Sequence, residues 1–325
     1  MTTNPHVIVR FQRETGDVEL DPYREYRVSV DGGPYSGVFR SPWTQAQLEE
    51  AIARLRNTTD DRPDMQSIKE LGQKLGQAIY QISGLSTLLR PGTTVWWQLD
   101  HPELTRIPWE LATRDQPPYH HLLLEGISFV RRIPAAVFDP PAVWPTGKNE
   151  SLRLLYAWSE QPGSEVPHQA HQEQLEGICS DYGVDMVVAR AVPDVRTLRD
   201  LCIAKRFHFV HLLAHGGRTD GAWGLKLANY TANSEQIARA LRAGETTPAL
   251  VTVSACDSAN EPNNSFSSIA YQLHVYGIPL VLASQFRLRK TVSVASVAHV
   301  YEKLLGGGDP LGILAALRRQ VQTTP

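Results

Sequence analysis

Two stretches of this sequence hold residue types that could do chemistry together: His211-Leu-Leu-Ala-His215-Gly216-Gly217 and Val253-Ser-Ala-Cys256-Asp257. A thiol becomes a strong nucleophile on deprotonation, and a neighbouring imidazole can accept its proton and hold the resulting ion pair near neutral pH. His215 and Cys256 suit those two roles provided that the segments carrying them run side by side. Acyl transfer also needs hydrogen-bond donors aimed at the developing oxyanion. The backbone amides of Gly216 and Cys256 are the candidates, because a glycine beside the histidine lets backbone approach closely. His211 falls on the same strand face as His215 by alternation and is expected to brace the sheet. Asp257, directly after the cysteine, and Glu160, farther upstream, are candidate substrate-binding residues, either of which could pair with an Arg or Lys of a substrate.

The other two cysteines, Cys179 and Cys202, sit beside Ile178 and Leu201 among apolar helix positions and read as core residues. Three cysteines without CxxC spacing argue against a disulfide framework and against zinc. His168 and His171 have a ligand-like spacing but no third ligand nearby. Neither a metal nor another cofactor is expected.

The chemistry needs strands to carry it. After residue 150 the chain alternates regularly: strands over 152–156, 184–192, 207–213, 249–253 and 278–283, with helices over 171–182, 194–205, 266–275, 292–305 and 311–321. Alternation of this kind predicts a parallel sheet, and near-continuous apolar strands predict helices on both faces. Both candidate residues then follow predicted strands, at the carboxyl ends where open parallel sheets place their sites. Before residue 138 the pattern differs. Val7–Phe11 and Tyr26–Val30 read as strands, with Asp31-Gly-Gly33 as a hairpin turn. Thr44 and Gln47 form a capping box ahead of one helix, and Ile68, Leu71, Leu75 and Ile79 mark a second. The proline-rich stretch 138–150 separates the two regions. The expected fold class is α/β, a mostly parallel sheet flanked by helices and preceded by a smaller mixed α and β domain, divided as 1–147 and 148–325.

Composition narrows the partners. The 325 residues are 42% hydrophobic and 20% charged, with a formal net charge of -2 and a pI near 6.6. That balance predicts a globular chain and offers no excess positive charge for nucleic acid or an anionic membrane. No apolar run approaches the ~20 residues that span a bilayer, and no secretion signal is visible, so a cytoplasmic location is expected.

Strand-His-Gly followed some forty residues later by strand-Ala-Cys resembles the CHAT family, a caspase-like group of cysteine peptidases related to separase. Further segments are similar to that family: Ile107-Pro-Trp-Glu-Leu111, Phe129-Val-Arg-Arg-Ile133, Thr197-Leu-Arg-Asp-Leu201 and Gly277-Ile-Pro-Leu-Val281. The likeness extends over roughly residues 95 to 320. It implies a caspase-like fold and an endopeptidase whose dyad, His215 and Cys256, works without an obligatory third member or a metal and cleaves after a chosen side chain. It further implies a regulated effector in bacterial defence or conflict, with a protein substrate and an activating sensor or regulatory protein as partners. Segments 218–223 and 257–265 are the expected places for a change of shape on activation. Relatives commonly continue beyond the point matching Pro325, so a truncated form is one expectation. Two rival readings are a pseudoprotease that binds partners without cutting, and a small-molecule hydrolase or nucleotide-binding protein. The latter is disfavoured because Gly306-Gly-Gly308 forms neither GxGxxG nor a P-loop.

Overall fold

The structure is a computed structural model describing residues 6–13, 19–31, 36–56, 64–133, 142–143, 151–163, 165–219, 222–256, 267–283 and 290–323. Its elements begin with β1 (His6–Gln12), β2 (Glu25–Val30), β3 (Ser36–Arg40), α1 (Gln45–Arg56), α2 (Met65–Tyr80), α3 (Leu85–Leu88), β4 (Thr94–Gln98) and β5 (Ser128–Arg132). They continue with β6 (Ala142–Val143), β7 (Arg153–Trp158), α4 (His168–Tyr182), β8 (Asp185–Ala189), α5 (Val195–Ala204), β9 (Phe209–Thr219), β10 (Ala222–Lys226) and β11 (Thr231–Asn233). The last are α6 (Ser234–Leu241), β12 (Thr247–Pro248), β13 (Leu250–Cys256), α7 (Ser267–Val275), β14 (Leu280–Ala283), α8 (Lys290–Leu305) and α9 (Pro310–Thr323). The chain forms two compact units. One takes the sequence to Pro134 together with the segment from Asp309 onward, and the other takes most of what lies between. The expected linker, 138–150, lies outside the described residues except for β6, as does most of the Asp31-Gly-Gly33 turn.

The second unit is built on a mostly parallel sheet. Five parallel strands run in the order β8-β7-β9-β13-β14. Their Leu and Val runs are covered on both faces, as apolar parallel strands require. Leu198 of α5, Ile237 of α6 and Leu273 of α7 bury against Val210, Leu212 and Val251 on one face. Helices α4 and α8 cover the other, where Tyr301 packs edge-on against Phe209. Local signals set the helix starts: the Asp194 side chain accepts from Thr197 N–H at 3.0 Å, and Asn233 with Gln236 closes a capping box on α6.

The sequence pattern ends the central strand at Leu213, whereas β9 runs on to Thr219. The reason is a hairpin: β7 pairs with Phe209–Leu213, and where β7 stops, β10 takes over the same edge of β9 in antiparallel pairing from His215 to Thr219. Glycines make this possible. Gly217 stands opposite Gly224, and a Cβ on Gly224 would lie 1.7 Å from the Ala232 carbonyl oxygen of β11. His215 therefore sits inside a strand, not after one.

The first unit has a mixed five-stranded sheet, β3-β2-β1-β4-β5, with parallel β1–β4 and β4–β5 pairs and antiparallel β1–β2 and β2–β3 pairs. Its core is aromatic: Trp97 and Trp109 stack at 4.5 Å, and Phe11 and Phe39 pack against Trp109. Helix α2 reaches the core through Gly72 and Gly76, since a Cβ at Gly76 would lie 2.2 Å from the Thr113 carbonyl oxygen. The capping box of Thr44 and Gln47 is present, with Gln47 N–H donating to Thr44 Oγ1 at 3.2 Å and Thr44 N–H to Gln47 Oε1 at 2.9 Å.

Two segments that carried the family likeness meet here. Glu110 accepts from Arg131 at 2.6 Å and from Arg318 of α9 at 2.7 Å, and Arg131 also donates to the Thr105 carbonyl at 2.6 Å. Burial pushes the Glu110 carboxyl upward, but the two guanidiniums outweigh it and hold it at about 2. A carboxyl held low contributes stability that is complete above its ordinary range near 4.5 and is lost as pH falls through about 2. Glu110→Gln is expected to destabilise the protein by about 3 kcal/mol at pH 7 and to flatten the loss of stability below pH 4.5. Urea denaturation followed by tryptophan fluorescence at pH 7 and pH 3 measures both; equal midpoints for variant and parent would refute it.

Candidate active site

β9 and β13 pair in parallel without a break from Phe209 opposite Leu250 to His215 opposite Cys256. Adjacent strands lie about 4.8 Å apart and paired positions share a face, so this register sets the two candidate positions side by side at the carboxyl end of the sheet. The rung four residues earlier shows how close side chains on this face come: His211 Nδ1 and Thr252 Oγ1 are 2.6 Å apart. A step of four along each strand returns to the same face, carrying His211 to His215 and Thr252 to Cys256. On the opposite edge of β9, Lys226 of β10 stands across from His215. The row at the strand end thus reads Cys256, His215, Lys226.

The backbone of β9 alternates in a fixed sense. Ser159 N–H donates to the Leu213 carbonyl at 2.9 Å, and Ala249 N–H to the His208 carbonyl at 2.8 Å. Odd positions of β9 therefore turn their amides toward β7 and β10, and even positions toward β13. Gly216 accordingly presents its N–H on the side where Cys256 stands. A parallel ladder continued through the last rung would engage that N–H with the Cys256 carbonyl, and the Cys256 N–H with the Ala214 carbonyl.

Below the row lies a buried polar chain that the sequence did not disclose beyond His211. His211 Nε2 meets His171 Nδ1 of α4 at 3.1 Å, His171 Nε2 meets Ser293 Oγ of α8 at 3.3 Å, and Thr252 Oγ1 meets the Tyr301 hydroxyl at 2.8 Å. Tyr156 of β7 stacks on the His211 ring and donates to the His168 carbonyl at 2.8 Å. One row of side chains so joins three strands to both helices of that face. The signal available in the sequence was Thr252, a lone hydroxyl in the apolar run of β13.

The remaining candidates distribute as follows. Glu160 follows β7 and accepts from Val166 N–H at 3.3 Å, within its own loop. Asp257 lies outside the described residues, as do 258–265 and 220–221 of the segments expected to move. Burial pushes the thiols of Cys179 and Cys202 up to about 11 and about 12, so both stay protonated at neutral pH. His168 stacks on Trp158 at 4.0 Å while His171 is engaged through both ring nitrogens, and they share no ligand position. Among the described residues, no group of three or more His, Cys, Asp or Glu is arranged to hold a metal ion. A small apolar space between β7, β9 and the helices α5 and α6 is lined by Ala157, Leu198, Leu212, Leu225 and Ile237.

Burial holds His171 down at about 4, and burial together with the neighbouring His171 keeps His211 well below the ordinary imidazole range. Both rings are neutral at pH 7. A depressed imidazole contributes stability that is complete above about pH 6.5, the unfolded value, and is lost as pH falls through about 4. For His171 the loss across that window is on the order of 3 kcal/mol. Urea unfolding at pH 7, 5.5 and 4 is expected to show it, and His171→Asn, whose amide does not titrate, to reduce the slope; parallel slopes would contradict the assignment.

Among sequence families, the CHAT domain matches residues 69–324, more than three-quarters of the chain and all of the strands just described in the second unit. No curated protein matches it. No helix among the described residues is long and apolar enough to cross a membrane. With the match spanning the sheet that carries His215 and Cys256, the chain belongs to the caspase-like CHAT family.

Proposed function

We propose that this protein is a cysteine endopeptidase of the CHAT type, with Cys256 as nucleophile and His215 as general base and acid. The observation that carries the reading is the shared rung of the two residues at the carboxyl end of adjacent parallel strands. His215 takes the thiol proton, and the thiolate attacks the scissile carbonyl to give a tetrahedral oxyanion. The protonated imidazole returns its proton to the leaving amine as the C–N bond breaks. Water, deprotonated by the same imidazole, then hydrolyses the thioester acyl-enzyme. No step calls for a cofactor.

The N–H of Gly216 faces the nucleophile's strand and is the oxyanion donor in this scheme, joined by the amide of Cys256. A closed last rung would occupy both amides, so the end of the ladder and the oxyanion compete for the same donors. That competition supports a regulated enzyme whose last rung opens when a sensor or regulatory partner acts on it. Protein substrates, a cytoplasmic setting and an effector role in bacterial defence complete the proposal. Of the three cysteines, the two that are described as buried have raised thiols, which leaves the nucleophile's part to Cys256.

Incubation with a fluorogenic peptide library should show cleavage by the parent and a fall of about a thousandfold or more in both Cys256→Ala and His215→Ala. Cleavage that survives in Cys256→Ala would overturn the mechanism. If no sample cleaves, an electrophilic peptide probe that fails to label Cys256 in the parent would point to a binding module in place of an enzyme.

A further inference from the structure

We infer that Lys226 is a specificity-determining residue that receives a carboxylate side chain of the peptide entering the strand-end site. The inference rests on the proposed site at His215 and Cys256 and names the substrate class for it. Lys226 pairs with His215 across β9 and β10, so it projects from the same face as the dyad row. Its path is fixed by a glycine. A Cβ placed on Gly217 would lie 2.8 Å from Lys226 Cγ and 3.3 Å from its Cε. The lysine stem thus crosses β9 over Gly217, two residues past His215, in the space that any side chain at 217 would take.

That diagonal carries the ammonium toward the carboxyl end of β9, beyond the last described rung with β13. The Cγ of Thr231 on β11 also lies against Gly217, a would-be Cβ there being 3.0 Å from it, and so walls the path on the other side. Lys226 is partly buried, and among the described residues no carboxylate or hydrogen-bond acceptor pairs with its ammonium. The lysine head is a point charge suited to a single flexible carboxylate, and a stem held over Gly217 presents it in a narrow range of positions. Glu160 accepts from the backbone N–H of Val166 in its own loop. The class of substrate that fits is a peptide with Asp or Glu next to the reacting carbonyl.

Two arms test this with full-length protein. In the first, Cys256→Ala protein, which cannot cleave, is titrated by fluorescence polarisation with matched peptides that differ only in Glu, Gln or Lys at one position scanned along the sequence. A Glu peptide bound at least tenfold tighter than its Gln and Lys counterparts is expected at one position. That preference should vanish in Cys256→Ala/Lys226→Met, which keeps the aliphatic stem over Gly217, and persist in Cys256→Ala/Lys226→Arg. No charge preference, a preference for Lys peptides, or a Glu preference undiminished in the Lys226→Met background would overturn the inference. In the second arm the same peptides are offered to protein with Cys256 intact. Discrimination in binding without any cleavage and without labelling of Cys256 by an electrophilic peptide probe would remove the peptidase reading and leave Lys226 as the recognition residue. An equal fall in kcat/KM for Glu and Gln peptides in Lys226→Met would assign Lys226 to the catalytic field and overturn its role in selection.

Discussion

A slip of one residue between β9 and β13 would send His215 and Cys256 to opposite faces of the sheet, so register is the constraint on which the whole site depends. The buried row beneath the strand end enforces it. His211 is held by Thr252 on one neighbouring strand and stacked on by Tyr156 on the other, and His171 and Tyr301 close the row from α4 and α8. Any slip would leave several buried polar groups without partners at once, and each such loss is costly in a low dielectric. An apolar row would hold the strands together with similar area but would accept a slipped partner more readily.

Much of the second unit was legible because its strands are apolar runs of four to eight residues separated by helical periodicity, with capping residues such as Asp194 at the expected place. The hairpin was not. Gly216 and Gly217 read as the end of a strand, whereas here they let β9 continue against β10 at close range. β10 and β11 are short, and only their pairing makes them strands. His215 and Cys256 could be picked out by residue type and by their place after apolar runs. Their common rung could not, because register between strands separated by some forty residues is settled by distant partners such as Thr252 and Tyr301. Lys226 was invisible for the same reason: its place opposite His215 follows from where the hairpin turns.

In the first unit, the segments Ile107–Leu111 and Phe129–Ile133 resembled the family without any evident chemistry. The structure gives Trp109, Glu110 and Arg131 a mechanical reason. Trp109 fills the aromatic core and donates to the Leu104 carbonyl at 3.0 Å, while Glu110 collects two guanidiniums that also bind backbone carbonyls. These segments hold a turn-rich stretch in one shape. Sequence likeness therefore marked two different things along one chain, the proposed dyad and a structural clamp, and only the geometry separates them.

The clamp has a consequence for how the protein is made. Glu110 and Arg318 lie 208 residues apart, and everything in the parallel-sheet unit is synthesised between them. The first unit starts before the second in sequence and cannot close its clamp until α9, which follows the second, has been made. The parallel-sheet unit is thus an insertion in the sequence of its host, and the host's stability depends on contacts between the segments on either side of the insert.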